Sequence, residues 1–257
     1  MKIKNGLKNK LNNRKTTIGS WIQIAHPAVA EIMAQAGFEW LAIDLEHSTI
    51  ELHQAQLLIQ TIQSYNVVPL VRVSSNDAVQ IKRVMDAGAA GVIVPNVNSE
   101  EDAQMAVAYI KYPPLGKRGV GLARAQGYGF EFEEYKKWVN KDSIVVVQIE
   151  HIDAINNLEE ILSVDGVDAS IIGPYDLSAS LGCAGNFNKK EVKNSIKKYL
   201  TVCRKLNKPA GFHVINPESE ELKNKIKQGF SFLALSIDTI LLGNKCRTEL
   251  VKIKEIL

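Results

Sequence analysis

Eight short apolar runs, rich in valine and isoleucine, alternate along this chain with segments whose apolar residues recur at helical spacing. That alternation restricts the fold more than any other feature. The runs lie at Ile18 to Ile24, Trp40 to Leu45, Val67 to Val73, Gly91 to Val94, Ser143 to Ile149, Asp168 to Ile172, Ala210 to Val214 and Phe232 to Ile237. Helical patterns fill the gaps: Pro27 to Ala36, Leu52 to Ser64, Asp77 to Ala87, Glu100 to Ile110, Ala154 to Leu162, Glu191 to Leu206, Glu218 to Gln228, and Thr239 onward. Runs such as Ile144-Val145-Val146-Val147 are hydrophobic at every position, as strands are when helices cover one side and a packed interior the other. Eight βα units in 257 residues predict one α/β domain over 1–257, a (β/α)8 TIM barrel, with a doubly wound open sheet as the alternative. No linker or break in composition divides the chain.

Composition narrows the function classes. With 46% hydrophobic and 23% charged residues the chain can bury a large core, and no apolar run reaches the ~20 residues of a membrane span. The first residues lead into lysine and asparagine rather than a signal h-region, so a cytoplasmic protein is expected. Cys183, Cys203 and Cys246 are odd in number and lack CxxC spacing, which fits reduced thiols better than disulfides or a zinc site. The net charge is +3, and the basic concentration Lys2, Lys4, Lys8, Lys10, Arg14 and Lys15 has no aromatic residues interleaved. It reads as a solvated leading helix, not a nucleic-acid footprint.

In a parallel barrel the strand C-termini converge on one rim, where catalytic residues collect. Glu150 ends the fifth run and Asp176 lies just beyond the sixth, so neighbouring strands present two carboxylates to one point. Such a pair either divides acid and base roles or holds a hard divalent cation, which would relieve the repulsion between them. Arg72 closes an apolar run and needs an anionic partner, either Asp44 or Glu46 in an ion pair, or a substrate carboxylate or enolate. His47 follows Asp44 by three residues, and a carboxylate there could orient the imidazole as a base. No predicted strand ends in lysine, which disfavours a Schiff base; Lys208 precedes the seventh run and belongs to the opposite rim. Neither GxGxxG nor GxxxxGK[ST] occurs.

From Ile18 to Asp238 the chain resembles the HpcH/HpaI class II pyruvate aldolases. The likeness rests on Ala30-Glu31-Ile32 with Ala36-Gly37-Phe38-Glu39-Trp40, Asp44-Leu45-Glu46-His47-Ser48, Pro69-Leu70-Val71-Arg72 and the stretch from Ala87 to Pro95. It continues through Tyr112-Pro113-Pro114 with Gly116-Lys117-Arg118-Gly119, Tyr128-Gly129, Gln148-Ile149-Glu150 and Gly173-Pro174-Tyr175-Asp176-Leu177-Ser178. What the resemblance implies is reversible cleavage of a 4-hydroxy-2-oxo acid to pyruvate and an aldehyde. Glu150 and Asp176 would ligate Mg²⁺, Mn²⁺ or Co²⁺, chelated in turn by the carboxylate and keto oxygens of pyruvate. Arg72 would polarise the keto group and stabilise the enolate. His47, oriented by Asp44, would take the proton of the C4 hydroxyl through a water.

The resemblance also puts Glu46 and Gln148 close behind the site, and lets the backbone from Gly173 and Pro174 to Ser178, opening a helix, receive the pyruvate carboxylate. Arg118 would border the site without a chemical step. A homo-oligomer is implied, a hexamer built as a trimer of dimers that exchange a C-terminal helix. His151, Tyr175 and the segment Cys183-Ala184-Gly185-Asn186 depart from the usual pattern, the first two at the aldehyde end. Two alternatives stand beside this reading: a CoA-ester lyase of the wider superfamily, and a non-catalytic protein that binds metal and keto acid.

Overall fold

The computed structural model describes residues 6–256, so Lys2 and Lys4 of the basic cluster lie outside the described residues. Eight strands close into one barrel: β1 (Thr17–Ile22), β2 (Trp40–Asp44), β3 (Val68–Arg72), β4 (Gly91–Val94), β5 (Ile144–Ile149), β6 (Ala169–Ile172), β7 (Ala210–Val214) and β8 (Phe232–Ile237). Each pairs in parallel with the next, and β8 returns to β1. The predicted TIM barrel is therefore the fold, and the open sheet is excluded.

Two apolar cores follow from the two-residue period of a strand. On β2, Leu41 and Ile43 point outward to the helices, where they join a large cluster with Leu58, Ile59, Ile81 and Val84. Trp40 and Ala42 point inward, joining Val68, Leu70, Ile144, Val146, Phe232 and Ala234. Within the barrel Trp40 stacks on Phe232, with ring centroids 4.3 Å apart. The indole lies so close to β1 that a Cβ at Gly19 would stand 2.0 Å from it, which is why that position is glycine.

The leading helix Gly6–Asn12 is not a solvated one. Leu7 and Leu11 are buried among the inward barrel residues and plug its N-terminal end. Two of the lysines that suggested solvation are ion-paired, Lys8 with Asp168 and Lys10 with Glu39. Elsewhere, β1 stops at Ile22 because the backbone N–H groups of Gln23 and Ile24 donate to Asp238 instead of continuing the ladder. The helix expected over Ala154 to Leu162 is two short ones, Ile152–Asn156 and Leu158–Ser163, joined at Asn157. A helix at Phe132–Asp142 and a 3-10 segment at Arg124–Gly129 went unpredicted.

Candidate active site

The alternation that fills the barrel also builds the rim. Asp44 is in phase with inward Trp40 and Ala42, Arg72 with Val68 and Leu70, and Gln148 and Glu150 with Ile144 and Val146. Gly173 follows Ala169 and Ile171, and Trp21 and Gln23 follow Gly19, in the same phase. These positions meet at the C-terminal rim around a cavity of about 290 Å3, whose wall includes His47, Arg72, Gln148, Gly173, Pro174 and Asp176.

Arg72 and Asp44 are register partners on adjacent strands. The guanidinium grips the fully buried carboxylate with both prongs, Nε to Oδ1 at 2.8 Å and Nη2 to Oδ2 at 2.7 Å. Its Nη1 stands 3.2 Å from Glu46 Oε2, and its plane lies 4.4 Å from the Trp21 ring centroid. Both ion pairs weighed from the sequence therefore form, while Arg72 still faces the cavity with N–H groups to spare. Burial works against the charge on Asp44, yet the Arg72 fork, the Gln23 amide and the His47 backbone N–H hold its pKa below the ordinary value. Burial pushes Glu46 up to about 7 against the pull of Arg72, with the charges of Glu150, Asp44 and Asp176 adding to the rise.

Asp44 meets His47 through the backbone rather than the ring: Oδ1 accepts the N–H groups of Glu46 and His47, at 3.1 and 3.2 Å. The carboxylate nearest the imidazole is Glu46, with Oε2 3.8 Å from Nε2, and the His47 side chain is 61% exposed. The expected orientation of the ring by Asp44 is not how the residues meet, because Arg72 and Gln23 occupy the oxygens that a ring nitrogen would need.

Glu150 is buried beneath the cavity. Its Oε2 accepts from the Gln148 amide and its Oε1 from the backbone N–H of Asn96, at 2.8 Å. Asn96 has a left-handed backbone, φ 53°, a conformation asparagine tolerates, and this brings its N–H to the acid. Burial raises the pKa of Glu150, and the Asp176 charge adds to the rise. A Cβ at Gly173 would stand 3.0 Å from Glu150 Oε2, so glycine keeps the space beside that oxygen open. Asp176 sits exposed in the first turn of the helix Pro174–Ser180. Among the described residues no group of three or more histidines, cysteines or acids converges as a complete metal cage. Glu150 and Asp176 nevertheless fit a hard cation: two oxygen donors of like charge, one desolvated, with positions left for water and substrate oxygens.

Other expected residues play different parts. The Ser178 hydroxyl is buried within its own loop, donating to the Tyr175 carbonyl at 2.7 Å and accepting from the Gly185 N–H at 2.9 Å. Arg118 does not border the cavity; it is buried against Asp86 and the rings of Tyr112 and Tyr135. Lys208 lies at the opposite rim and donates to the Val167 carbonyl. His151 caps a helix by accepting the Asp153 N–H, while Tyr175 lines the cavity and packs edge-on against Phe187. Sequence reasoning passed over Trp21, Gln23, Asn96 and His213. For Trp21 and Gln23 the signal was present as strand phase, two and four residues on from Gly19.

A closed parallel barrel whose C-terminal rim joins an arginine fork to paired acids is an enzyme architecture for small anionic molecules. The chain belongs to the HpcH/HpaI aldolase/citrate lyase family, whose pattern matches residues 17–244. It is 40% identical over 243 residues to a 4-hydroxy-2-oxo-heptane-1,7-dioate aldolase from Salmonella dublin, covering 94% of this chain and 91% of that one. It is 36% identical over 245 residues to a 2-dehydro-3,6-dideoxy-6-sulfogluconate aldolase from Pseudomonas putida, covering 95% of each. Among solved structures, a family protein from Burkholderia cenocepacia superposes with a TM-score of 0.92 at 28% identity, covering 97% of this chain and 99% of that one. An HpcH/HpaI aldolase from Desulfitobacterium hafniense gives 0.88 at 30% identity, covering 97% and 96%. The protein is thus an enzyme of the carbon–carbon lyase class.

Proposed function

We propose that this enzyme reversibly cleaves a 4-hydroxy-2-oxo acid to pyruvate and an aldehyde, and that it needs a divalent cation, Mg²⁺, Mn²⁺ or Co²⁺, to do so. The observation that carries the reading is Arg72, fixed by both oxygens of Asp44 and by Glu46 while facing the cavity that Gln148 and Asp176 also line. A permanently charged, preorganised fork stabilises negative charge that develops on a keto oxygen. Glu150 and Asp176 would hold the cation, which would supply Lewis acidity toward the bound acid.

His47 takes the proton from the C4 hydroxyl through a water, the C3–C4 bond breaks, and its electron pair passes into the pyruvate enolate as the aldehyde leaves. Protonation at C3 then gives pyruvate. Arg72 holds the enolate oxygen, Gln148 orients Glu150, and Glu46 is the carboxylate that faces the imidazolium formed on His47. Asp44 acts through Arg72 and through the turn that carries His47.

In the same proposal residues 1–257 form one catalytic barrel that works as a homo-oligomer, a trimer of dimers. The helix Asp238–Lys254 supports this, since Leu242, Leu250, Val251 and Ile253 are each more than half exposed along it. Apolar residues of that density on one terminal helix are what a neighbouring barrel would cover.

The test is pyruvate with Mg²⁺ or Mn²⁺ in deuterated buffer, followed by a panel of aldehydes scored for new 4-hydroxy-2-oxo acids. Metal-dependent loss of the methyl proton signal and at least one aldol product are expected. Pyruvate binding with neither outcome would leave a binding protein, and thioester cleavage without keto-acid cleavage would leave a CoA-ester lyase.

A further inference from the structure

His213 lines the cavity, yet the proposed aldol chemistry gives it no task. It projects inward from β7 in phase with Gly211, its ring 5.7 Å from that of Trp21. Nε2 lies 3.0 Å from the carbonyl oxygen of Ser236 on β8. A carbonyl only accepts, so Nε2 carries the proton and Nδ1 remains an acceptor. Burial holds the imidazole pKa down to about 4, which keeps the ring neutral in ordinary working conditions.

The partner of this ring is itself unusual. Ser236 is buried with φ 55°, in the left-handed region that non-glycine residues seldom occupy, and its hydroxyl oxygen has no hydrogen-bond partner. Its carbonyl oxygen accepts from Ser20 Oγ at 3.2 Å and meets His213 Nε2 as well. Backbone strain maintained in the residue that precedes Ile237 of the cavity wall is a signature of a functional position, and the carbonyl of that residue fixes one tautomer of one ring.

Arg72, Gln148 and the paired acids occupy the β3, β5 and β6 side, where the reading above puts pyruvate. His213, Ile215 and Ile237 line the cavity from β7, β8 and the loop after β7, which leaves them the aldehyde half. Isoleucine walls suit a carbon chain and offer it no hydrogen bond. The charges of Arg72 and Asp44 act on His213 in opposite senses, and the neutral ring they leave fits a neutral donor. We propose that His213 determines acceptor specificity, its Nδ1 accepting a hydrogen bond from a hydroxyl of a short hydroxyaldehyde. This rests on the aldolase reading.

The experiment compares kcat/KM for glycolaldehyde and glyceraldehyde with that for acetaldehyde and propanal, using pyruvate and Mn²⁺, in the wild type, His213→Leu and His213→Asn. The wild type should favour the hydroxylated partner of each pair about tenfold, the value of one well-made neutral hydrogen bond. His213→Leu should lose that preference with alkanal rates and pyruvate methyl exchange unchanged, and His213→Asn, which keeps an amide acceptor, should retain part of it. No preference in the wild type, or an equal fall for both aldehyde types in His213→Leu, overturns the proposal. If His213→Leu does not fold, the wild-type comparison and His213→Asn decide it. Methyl exchange and alkanal addition read the aldolase itself, so their failure sinks the parent reading, whereas their survival without hydroxyl preference sinks only this inference.

Discussion

Arg72 shows how one side chain can be both structural and chemical, because it holds Asp44 with two N–H groups and pairs with Glu46 through Nη1 while still facing the cavity. Arg72→Lys keeps the charge but cannot bridge both Asp44 oxygens or lie flat against Trp21. We expect kcat for aldol cleavage to fall at least ~100-fold, about 3 kcal/mol of lost enolate stabilisation; turnover near wild type would remove Arg72 from the chemistry. Gly173 carries a different prediction. Its φ of −101° suits alanine, so the cost of Gly173→Ala is the new methyl pressed against Glu150. Metal affinity measured by calorimetry should weaken ~10-fold with circular dichroism unchanged, as when the support of a ligand is displaced, and an unaltered titration would separate Glu150 from the metal. Asp44, Arg72 and Glu150 were legible in the sequence because a charge closing an apolar run is an anomaly. His213 was not: a histidine within a strand looks ordinary until its partner carbonyl on β8 is known. The spacing of Asp44 and His47 gave their proximity but could not tell that Arg72 and Gln23 take up the carboxylate.

At the scale of elements, the strands were readable because each is built mainly of apolar residues with its polar ones few or at its C-terminal end, and the barrel followed from their number and the helices between them. The helix Phe132–Asp142 escaped because it is mostly charged and fully buries only Tyr135 and Val139. The leading helix misled for the opposite reason, since its lysines advertise solvent while Leu7 and Leu11 close the barrel floor. Leu11→Ala should therefore cost about 2–4 kcal/mol, as truncation of a buried leucine does, and the melting temperature should fall by several degrees. Activity below the transition should be retained, because the substitution sits at the end of the barrel remote from the cavity. A melting temperature within a degree of wild type would mean that the helix does not plug the barrel.

The pH dependence of stability belongs to the whole molecule, because opposed groups on different strands set it together. His213 has a folded pKa of about 4 against 6.5 unfolded, so the unfolded chain binds the extra proton and this residue removes stability as pH falls from 6.5 to 4. Glu46, raised to about 7 from 4.5, does the reverse: the folded state binds the proton first, and stability rises as pH falls from 7 to 4.5. Each is worth on the order of 3 kcal/mol over its window. Glu150 and Asp238, also raised by burial, lean the same way as Glu46, while Asp44, lowered, acts only below about pH 4. For the metal-free protein the urea midpoint should thus rise only modestly between pH 6.5 and 4.5, because the His213 loss offsets most of the gains. Glu46→Gln removes the largest gain and should make the midpoint decline toward acid, whereas His213→Leu removes the loss and should make it climb. The two variants must tilt in opposite directions, and a shared direction would show that the two groups do not titrate as their burial dictates.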